Sequence, residues 1–222
     1  MDRKRGNILF DLDGTLTDNQ VGIFRCIHYA FKELGVPLEE TTDLRWCVGP
    51  PLQLSLTQLA GGDPSLGKKA LELYRARYRE TGIFENRLYD GIIGSLESLL
   101  PVFDLYVATS KPKFFSEKIL KHFSLDKYFQ AIYGSELDGT RTDKGQLIAF
   151  LLAEEELDPK TVLMIGDREH DMIGAEKNQV VGLGAGWGFG SEEELMTAGA
   201  RIVLKTPAEL FQFVQDYGNE QR

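Results

Sequence analysis

The chain reads as an α/β protein, a doubly wound parallel sheet with an inserted α-helical subdomain, and three observations predict it. Short unbroken apolar runs recur along the sequence. Helical periodicity fills the gaps between the later runs. The second run begins only at Leu105, far from the first, which ends at Phe10. The runs are Asn7 to Phe10, Leu105 to Ala108, Ala131 to Tyr133, Val162 to Ile165 and Val180 to Leu183. They lack the polar alternation of a half-solvated strand, as expected for parallel strands covered on both faces. Phe115, Ile119, Leu120 and Phe123 recur at helical spacing, as do Leu147, Ile148, Leu151 and Leu152. Strand–helix alternation of this kind predicts a parallel sheet wrapped by helices.

The long gap after the first run predicts the insertion. Val21, Phe24, Ile27, His28 and Phe31 fall on one helical face, ended by Gly35 and Pro37, and Leu71, Tyr74 and Tyr78 fall on another. A crossover between parallel strands needs only about a dozen residues, so a separate helical subdomain is expected. We place the core in residues 1–16 and 87–222 and the insertion in 17–86. No internal repeat or low-complexity segment interrupts this plan.

Composition narrows the partners. Against 34 Asp and Glu stand 25 Lys and Arg, a net charge of -9 over 222 residues. An acidic surface repels phosphate backbones, which argues against a nucleic acid polymer. The one dense basic run, Asp2-Arg3-Lys4-Arg5, is read as solvating the start of the first strand. Cys26 and Cys47 are too few for a disulfide framework and sit beside apolar residues, as buried thiols of a cytoplasmic protein do. The longest apolar segment, Leu147 to Ala153, falls far short of the ~20 residues of a membrane span, and Ile8-Leu9-Phe10 is too short for a secretory signal. The expectation is a soluble cytoplasmic protein with no membrane partner, monomeric or homodimeric.

Chemistry concentrates at strand ends, where open parallel sheets bind ligands. The first strand runs into Asp11-Leu12-Asp13-Gly14-Thr15. Extended backbone puts Asp11 and Asp13 on one side, and Gly14 permits a sharp turn; a surface Asp–Gly turn accounts for the pattern equally well. Val162 to Ile165 leads into Gly166-Asp167, with Asp171 one helical turn on. Helix capping explains either Asp singly, but not acid at both strand ends. Four carboxylates at one rim repel unless a cation or a proton intervenes, and an all-oxygen donor set selects a hard ion such as Mg²⁺. Thr109 and Ser110 add hydroxyls at the end of the second strand, and Lys144 an ammonium ahead of an apolar helix. A cap and a solvated lysine are the plainer readings of these last three.

In this order the residues resemble the haloacid dehalogenase-like superfamily in its phosphatase branch. Asp11 to Thr15 is similar to its first motif, Thr109 to its second, Lys144 to its third, and Gly166-Asp167 through Asp171 to its fourth. The insertion resembles the small helical cap of phosphoglycolate phosphatases. Tyr133 to Arg141 (Tyr-Gly-Ser-Glu-Leu-Asp-Gly-Thr-Arg) is closer to a bacterial 5′-nucleotidase-like group. Lys144 precedes Gly145 where phosphoglycolate phosphatases often carry Lys-Pro. The resemblance implies a Rossmann-like core and a Mg²⁺-dependent hydrolase of small phosphomonoesters. Asp11 is then the nucleophile, forming an aspartyl-phosphate. Asp13 is the acid and base, its pKa raised by neighbouring carboxylates. Asp11, Asp167 and the main-chain carbonyl of Asp13 hold the metal. Thr109, Ser110 and Lys144 bind the phosphoryl oxygens, and Asp171 orients Lys144 or a metal-bound water.

The rivals are a dehalogenase or phosphomutase on the same fold, a phosphorylated receiver domain and an inactive binding protein. A halide leaving group has no use for Asp13, and receivers are about half this length. The insertion is expected to serve as a lid that excludes bulky polymers. Within it Arg45-Trp46-Cys47-Val48-Gly49-Pro50-Pro51 is the segment expected to face the substrate, with Arg45 meeting an anionic group; Arg45 as a surface residue and Pro50-Pro51 as a helix start is the plainer reading. Gly182, Gly184, Gly186, Gly188 and Gly190 alternate, but Trp187 stands where a dinucleotide fingerprint needs glycine, so this stretch is read as a flexible loop after the last core strand.

Overall fold

The structure, a computed structural model, describes residues 6–220; the basic run at residues 2–5 lies outside them. The chain opens with β1 (Gly6–Phe10) and β2 (Thr17–Asp18), then three helices, α1 (Gln20–Glu33), α2 (Leu52–Leu59) and α3 (Pro64–Glu80). β3 (Arg87–Leu88), α4 (Ile92–Leu99), β4 (Phe103–Pro112), α5 (Lys113–His122) and β5 (Ala131–Ser135) follow. The last part alternates as α6 (Lys144–Glu154), β6 (Val162–Gly166), α7 (Glu169–Lys177), β7 (Val181–Ala185), α8 (Glu192–Thr197), β8 (Val203–Leu204) and α9 (Glu209–Glu220).

Two compact units result. One comprises the residues up to Thr17 and those from Leu88 onward; the other is Asp18–Arg87. In the first unit six strands form one parallel sheet in the order β5-β4-β1-β6-β7-β8. Counted within that sheet, the order is 3-2-1-4-5-6, so the winding reverses on either side of β1 and opens a crevice at its carboxyl end. Asp11 is the first residue beyond β1.

The apolar runs are strands because nothing else could bury them. Ile8, Leu9, Leu105, Val107, Ala108, Met164 and Ile165 have no exposed surface. Leu147, Ile148, Leu151 and Leu152 of α6 pack in one cluster with Leu9, Ala108 and Met164. At ~1.5–3 kcal/mol for each large apolar side chain taken out of water, such packing outweighs any local propensity. α6 and α7 approach closely at Gly145 and Gly174. A Cβ on Gly174 would lie 2.9 Å from the Lys144 side chain and 3.1 Å from the Gly145 nitrogen.

Three expectations are corrected. The sheet has a sixth strand, β8, whose two residues leave no periodic trace. The glycine stretch is a loop only in its second half: Gly182 and Gly184 lie inside β7, while Gly186, Gly188 and Gly190 follow it in turns and bends, with Gly188 and Gly190 packed on Asp167. In α1 the buried stripe is Ile23, Cys26, Ile27, Ala30 and Phe31, while Val21 is half exposed.

The second unit is helical. Asp63 caps α3 by accepting from Ser65 N (2.8 Å) and Leu66 N (3.1 Å), with Pro64 pre-set at the first helical position. Tyr74 and Tyr78 stack one turn apart with ring centroids 5.3 Å apart. Glu85 joins two helices, accepting from Arg25 of α1 (2.8 Å) and Arg77 of α3 (2.7 Å). Both cysteines are buried and unbridged. Among the described residues no helix is long and apolar enough to cross a membrane.

Candidate active site

The segment after β1 is wound tightly. Leu16 N and Thr17 N both donate to Leu12 O, and Gly14 N donates to Thr17 O at 2.8 Å. Gly14 has a φ of 88°, and a Cβ there would collide with the Asp167 carboxylate. Glycine is therefore required twice over, by backbone and by contact. The turn brings Thr15 against β6, where its hydroxyl donates to Asp167 Oδ1 at 3.3 Å.

Asp11, Asp167 and Asp171 are all buried, and each offers a carboxylate oxygen within 4.8 Å of the others. Lys144, the first residue of α6, enters this cluster with a side chain only 4% exposed. Its ammonium lies 2.9 Å from Asp11 Oδ1, 2.7 Å from Asp171 Oδ1, and donates to Ala108 O at 2.9 Å. Burial alone would lower this ammonium's pKa, but the Asp11 and Asp171 carboxylates override it and hold it above its ordinary range. Asp171 also accepts from Arg168 N at 3.1 Å, satisfying the amide that precedes α7.

Asp167 is the carboxylate with no ammonium of its own among these contacts. Thr15 and the Phe189 amide (2.8 Å) donate to its two oxygens, worth ~1.5–3 kcal/mol each as bonds to a charged group. Repulsion from two other carboxylates at these separations costs at least roughly 3 kcal/mol apiece at an effective dielectric of about 20. Desolvation comes on top and is the larger cause: burial first, then Asp171 and Asp11, push the Asp167 carboxyl well above its ordinary pKa. The cluster is thus short of positive charge, and its donors are hard oxygens. That is a fit for a divalent cation of the Mg²⁺ class.

The other expected residues are placed as follows. Thr109 is buried in β4 and its Oγ1 accepts from Lys111 N at 3.2 Å. Ser110 follows it, its carbonyl held by the Ser135 hydroxyl at 2.8 Å. Asp13 turns to Lys111, whose Nζ lies 2.5 Å from Oδ2, so its charged partner is a cation. Arg45 belongs to the other unit, in a short 3-10 helix, where its exposed guanidinium is paired with Asp43 at 2.7 Å.

Lys111, Trp187 and the Phe189 amide are participants to which the sequence reading gave no part in the site, and Thr15 entered it only as the end of the first motif. Lys111 had a signal in its place at the end of β4, two residues beyond Thr109. Trp187 Nε1 donates to Thr15 O at 2.9 Å; it and Phe189 return to the site from far along the chain, which no local pattern announces.

Against this geometry the comparisons are consistent. The family described as haloacid dehalogenase-like hydrolase matches residues 8–184. A 5′-nucleotidase of Pseudomonas aeruginosa is 50% identical over 190 residues, covering 85% of this chain and 86% of that protein. A tyrosine-protein kinase PtkA of Mycobacterium tuberculosis is 34% identical over 197 residues, covering 88% of this chain and 67% of its own. The crystal structure of a predicted phosphatase from Clostridium acetobutylicum superposes with a TM-score of 0.91 at 40% identity, over 96% of this chain and 100% of that one.

Proposed function

The chain belongs to the haloacid dehalogenase-like hydrolase family, and from that premise we propose that it hydrolyses small soluble phosphomonoesters through an aspartyl-phosphate on Asp11. The observation that carries the reading is the buried Asp11 at the switch point of the sheet, sharing the Lys144 ammonium with Asp171. A nucleophilic carboxylate must be held in place where water is scarce, and an ammonium 2.9 Å from its Oδ1 does that.

In the first step an Asp11 oxygen bonds to phosphorus as the bond to the leaving oxygen breaks, and Asp13 delivers a proton to that oxygen. In the second, water attacks the phosphoryl group, its proton passes to Asp13, and the bond to Asp11 breaks. Lys144 and the hydroxyls of Thr109 and Ser110 stabilise charge on the equatorial oxygens. Asp11, Asp167 and the Asp13 carbonyl, with Asp171 beside them, would hold Mg²⁺, which when bound would neutralise charge on the nucleophile and the phosphoryl oxygens. Asp171 orients Lys144 through the ion pair they share.

The similarity to a 5′-nucleotidase supports nucleoside monophosphates as the first substrates to try, ahead of phosphoglycolate-like acids. In this reading the helical unit acts as the cap, and the setting is the cytoplasm, where Cys26 and Cys47 remain thiols. The test is phosphate release from AMP, phosphoglycolate, p-nitrophenyl phosphate and a phosphotyrosine peptide, with Mg²⁺ and with EDTA. Mg²⁺-dependent release from AMP that vanishes in Asp11→Asn is expected. Equal release by wild type and Asp11→Asn would remove the assignment, and a peptide that proves the best substrate would overturn the small-substrate reading.

A further inference from the structure

The two oxygens of Asp13 are unequally provided for. Oδ2 is held by Lys111 Nζ at 2.5 Å, with the two side chains only 8% and 13% exposed. Oδ1 is buried and has no hydrogen-bond partner among the described residues. Leaving a buried acceptor unmatched is unfavourable, so an arrangement that serves one oxygen fully and the other not at all asks for a partner that arrives.

The segment carrying Lys111 is built to hold it. The pairing of β4 with β5 shifts register between Thr109 and Pro112, so Ser110 and Lys111 leave the regular ladder. Gly134 of β5 makes room for this irregularity: a Cβ there would lie 2.6 Å from Lys111 O and 2.7 Å from Lys113 N. Ser135 ties the segment down through Ser110 O. Part of the Tyr133–Arg141 motif thus acts as the support of β4's end. Ordering a long lysine side chain costs conformational entropy; a fixed backbone beneath it reduces what must still be ordered.

We propose that Lys111 is a positioning residue for Asp13, clamping Oδ2 so that Oδ1 is the atom that exchanges the proton. The proposal rests on the phosphomonoesterase reading and adds a residue to it. In the first step the Oδ1 proton passes to the leaving oxygen as its bond to phosphorus breaks. In the second, Oδ1 takes the proton of the attacking water as the Asp11–phosphorus bond breaks. Lys111 neither gains nor loses a proton in this scheme; it fixes the carboxylate's orientation.

The experiment is a double-mutant cycle on a series of substituted phenyl phosphates with Mg²⁺ present, using Lys111→Met and, independently, Lys111→Gln, each alone and with Asp13→Asn. Single variants are expected to lose at least about tenfold in kcat on phenyl phosphate, less on p-nitrophenyl phosphate, with KM changed by under about threefold. Lys111→Arg restores part of the loss. In the Asp13→Asn background the Lys111 substitutions have no further effect beyond about twofold. A raised KM at unchanged kcat would make Lys111 a phosphate ligand instead. Losses that are equal across leaving groups, or that multiply with Asp13→Asn, would overturn the proposal. Failure of the underlying reading is seen separately, as wild type that releases no phosphate or an Asp11→Asn protein as active as wild type.

Discussion

Asp11 and Lys144 stand 133 residues apart in the sequence and 2.9 Å apart in the fold, in a place nearly closed to water. The same ammonium serves Asp171, so Lys144 is a structural group as well as a candidate catalytic one. Removing one partner of a buried ion pair costs about 3–5 kcal/mol, because the other charge stays behind. For a chain of this size that lowers Tm by roughly 6–20 °C. We expect Lys144→Ala to show this loss together with loss of phosphate release. A melting curve within a degree of wild type would show that Asp11 and Asp171 do not depend on it.

Asp167 gives the opposite expectation for stability. Its charge is opposed by burial and by Asp171 and Asp11, so neutralising it relieves the metal-free protein. Asparagine can keep both local bonds, its carbonyl accepting from Phe189 N and its amide donating to the Thr15 hydroxyl. In EDTA, Asp167→Asn is expected to melt at or above the wild-type temperature. Wild type should gain about 2.7 kcal/mol at Mg²⁺ a hundredfold above its dissociation constant, roughly 5–11 °C in Tm, and the variant should gain none. A Mg²⁺ shift that survives the substitution would take Asp167 out of the metal site.

The fold and the acidic rim were legible because each rests on a short-range signal. Unbroken apolar runs such as Ile8-Leu9-Phe10 are readable without knowing their neighbours, and Asp11 and Asp167 follow from where those runs stop. β8 was not legible, since Val203 and Leu204 form a strand only because β7 lies beside them. The face of α1 was misplaced by a fraction of a turn, because Val21 and Ile23 are equally apolar and only packing selects Ile23. In the site, the Lys111–Asp13 pair and the Phe189 amide on Asp167 depend on chain returning from elsewhere. Cation and anion were each visible as residues; their pairing was a property of the sheet order.

Cys47 tests the packing of the helical unit. Burial, the largest cause, pushes its thiol up to about 12, partly offset by a hydrogen bond to Ser55. The folded protein therefore holds this thiol protonated where the unfolded chain, with an ordinary value near 9, does not. Its contribution to stability is complete below about pH 9 and is lost as pH rises toward 12. Iodoacetamide at pH 8 should leave Cys47 unmodified in the native protein and modify it readily in denaturant, read by peptide mass. Rapid native labelling would mean that the segment Arg45–Cys47 opens frequently.

Arg45 is the residue whose two readings differ most in outcome. Its guanidinium is mostly exposed and held by Asp43, whose carboxyl the Arg45 hydrogen bonds keep down at about 2. Asp43 therefore keeps its charge at the pH values where the enzyme is assayed, and a substrate anion has to compete with it for Arg45. An exposed pair adds little to stability, so Arg45→Ala and Asp43→Ala should both melt with wild type. If Arg45 meets a second anionic group on the substrate, Arg45→Ala lowers kcat/KM for phosphoglycolate more than for p-nitrophenyl phosphate. Asp43→Ala then raises it, because the guanidinium no longer has to exchange one carboxylate for another. Opposite signs from the two substitutions are the expected result. Unchanged kinetics in both would leave Arg45 a surface residue occupied by its neighbour.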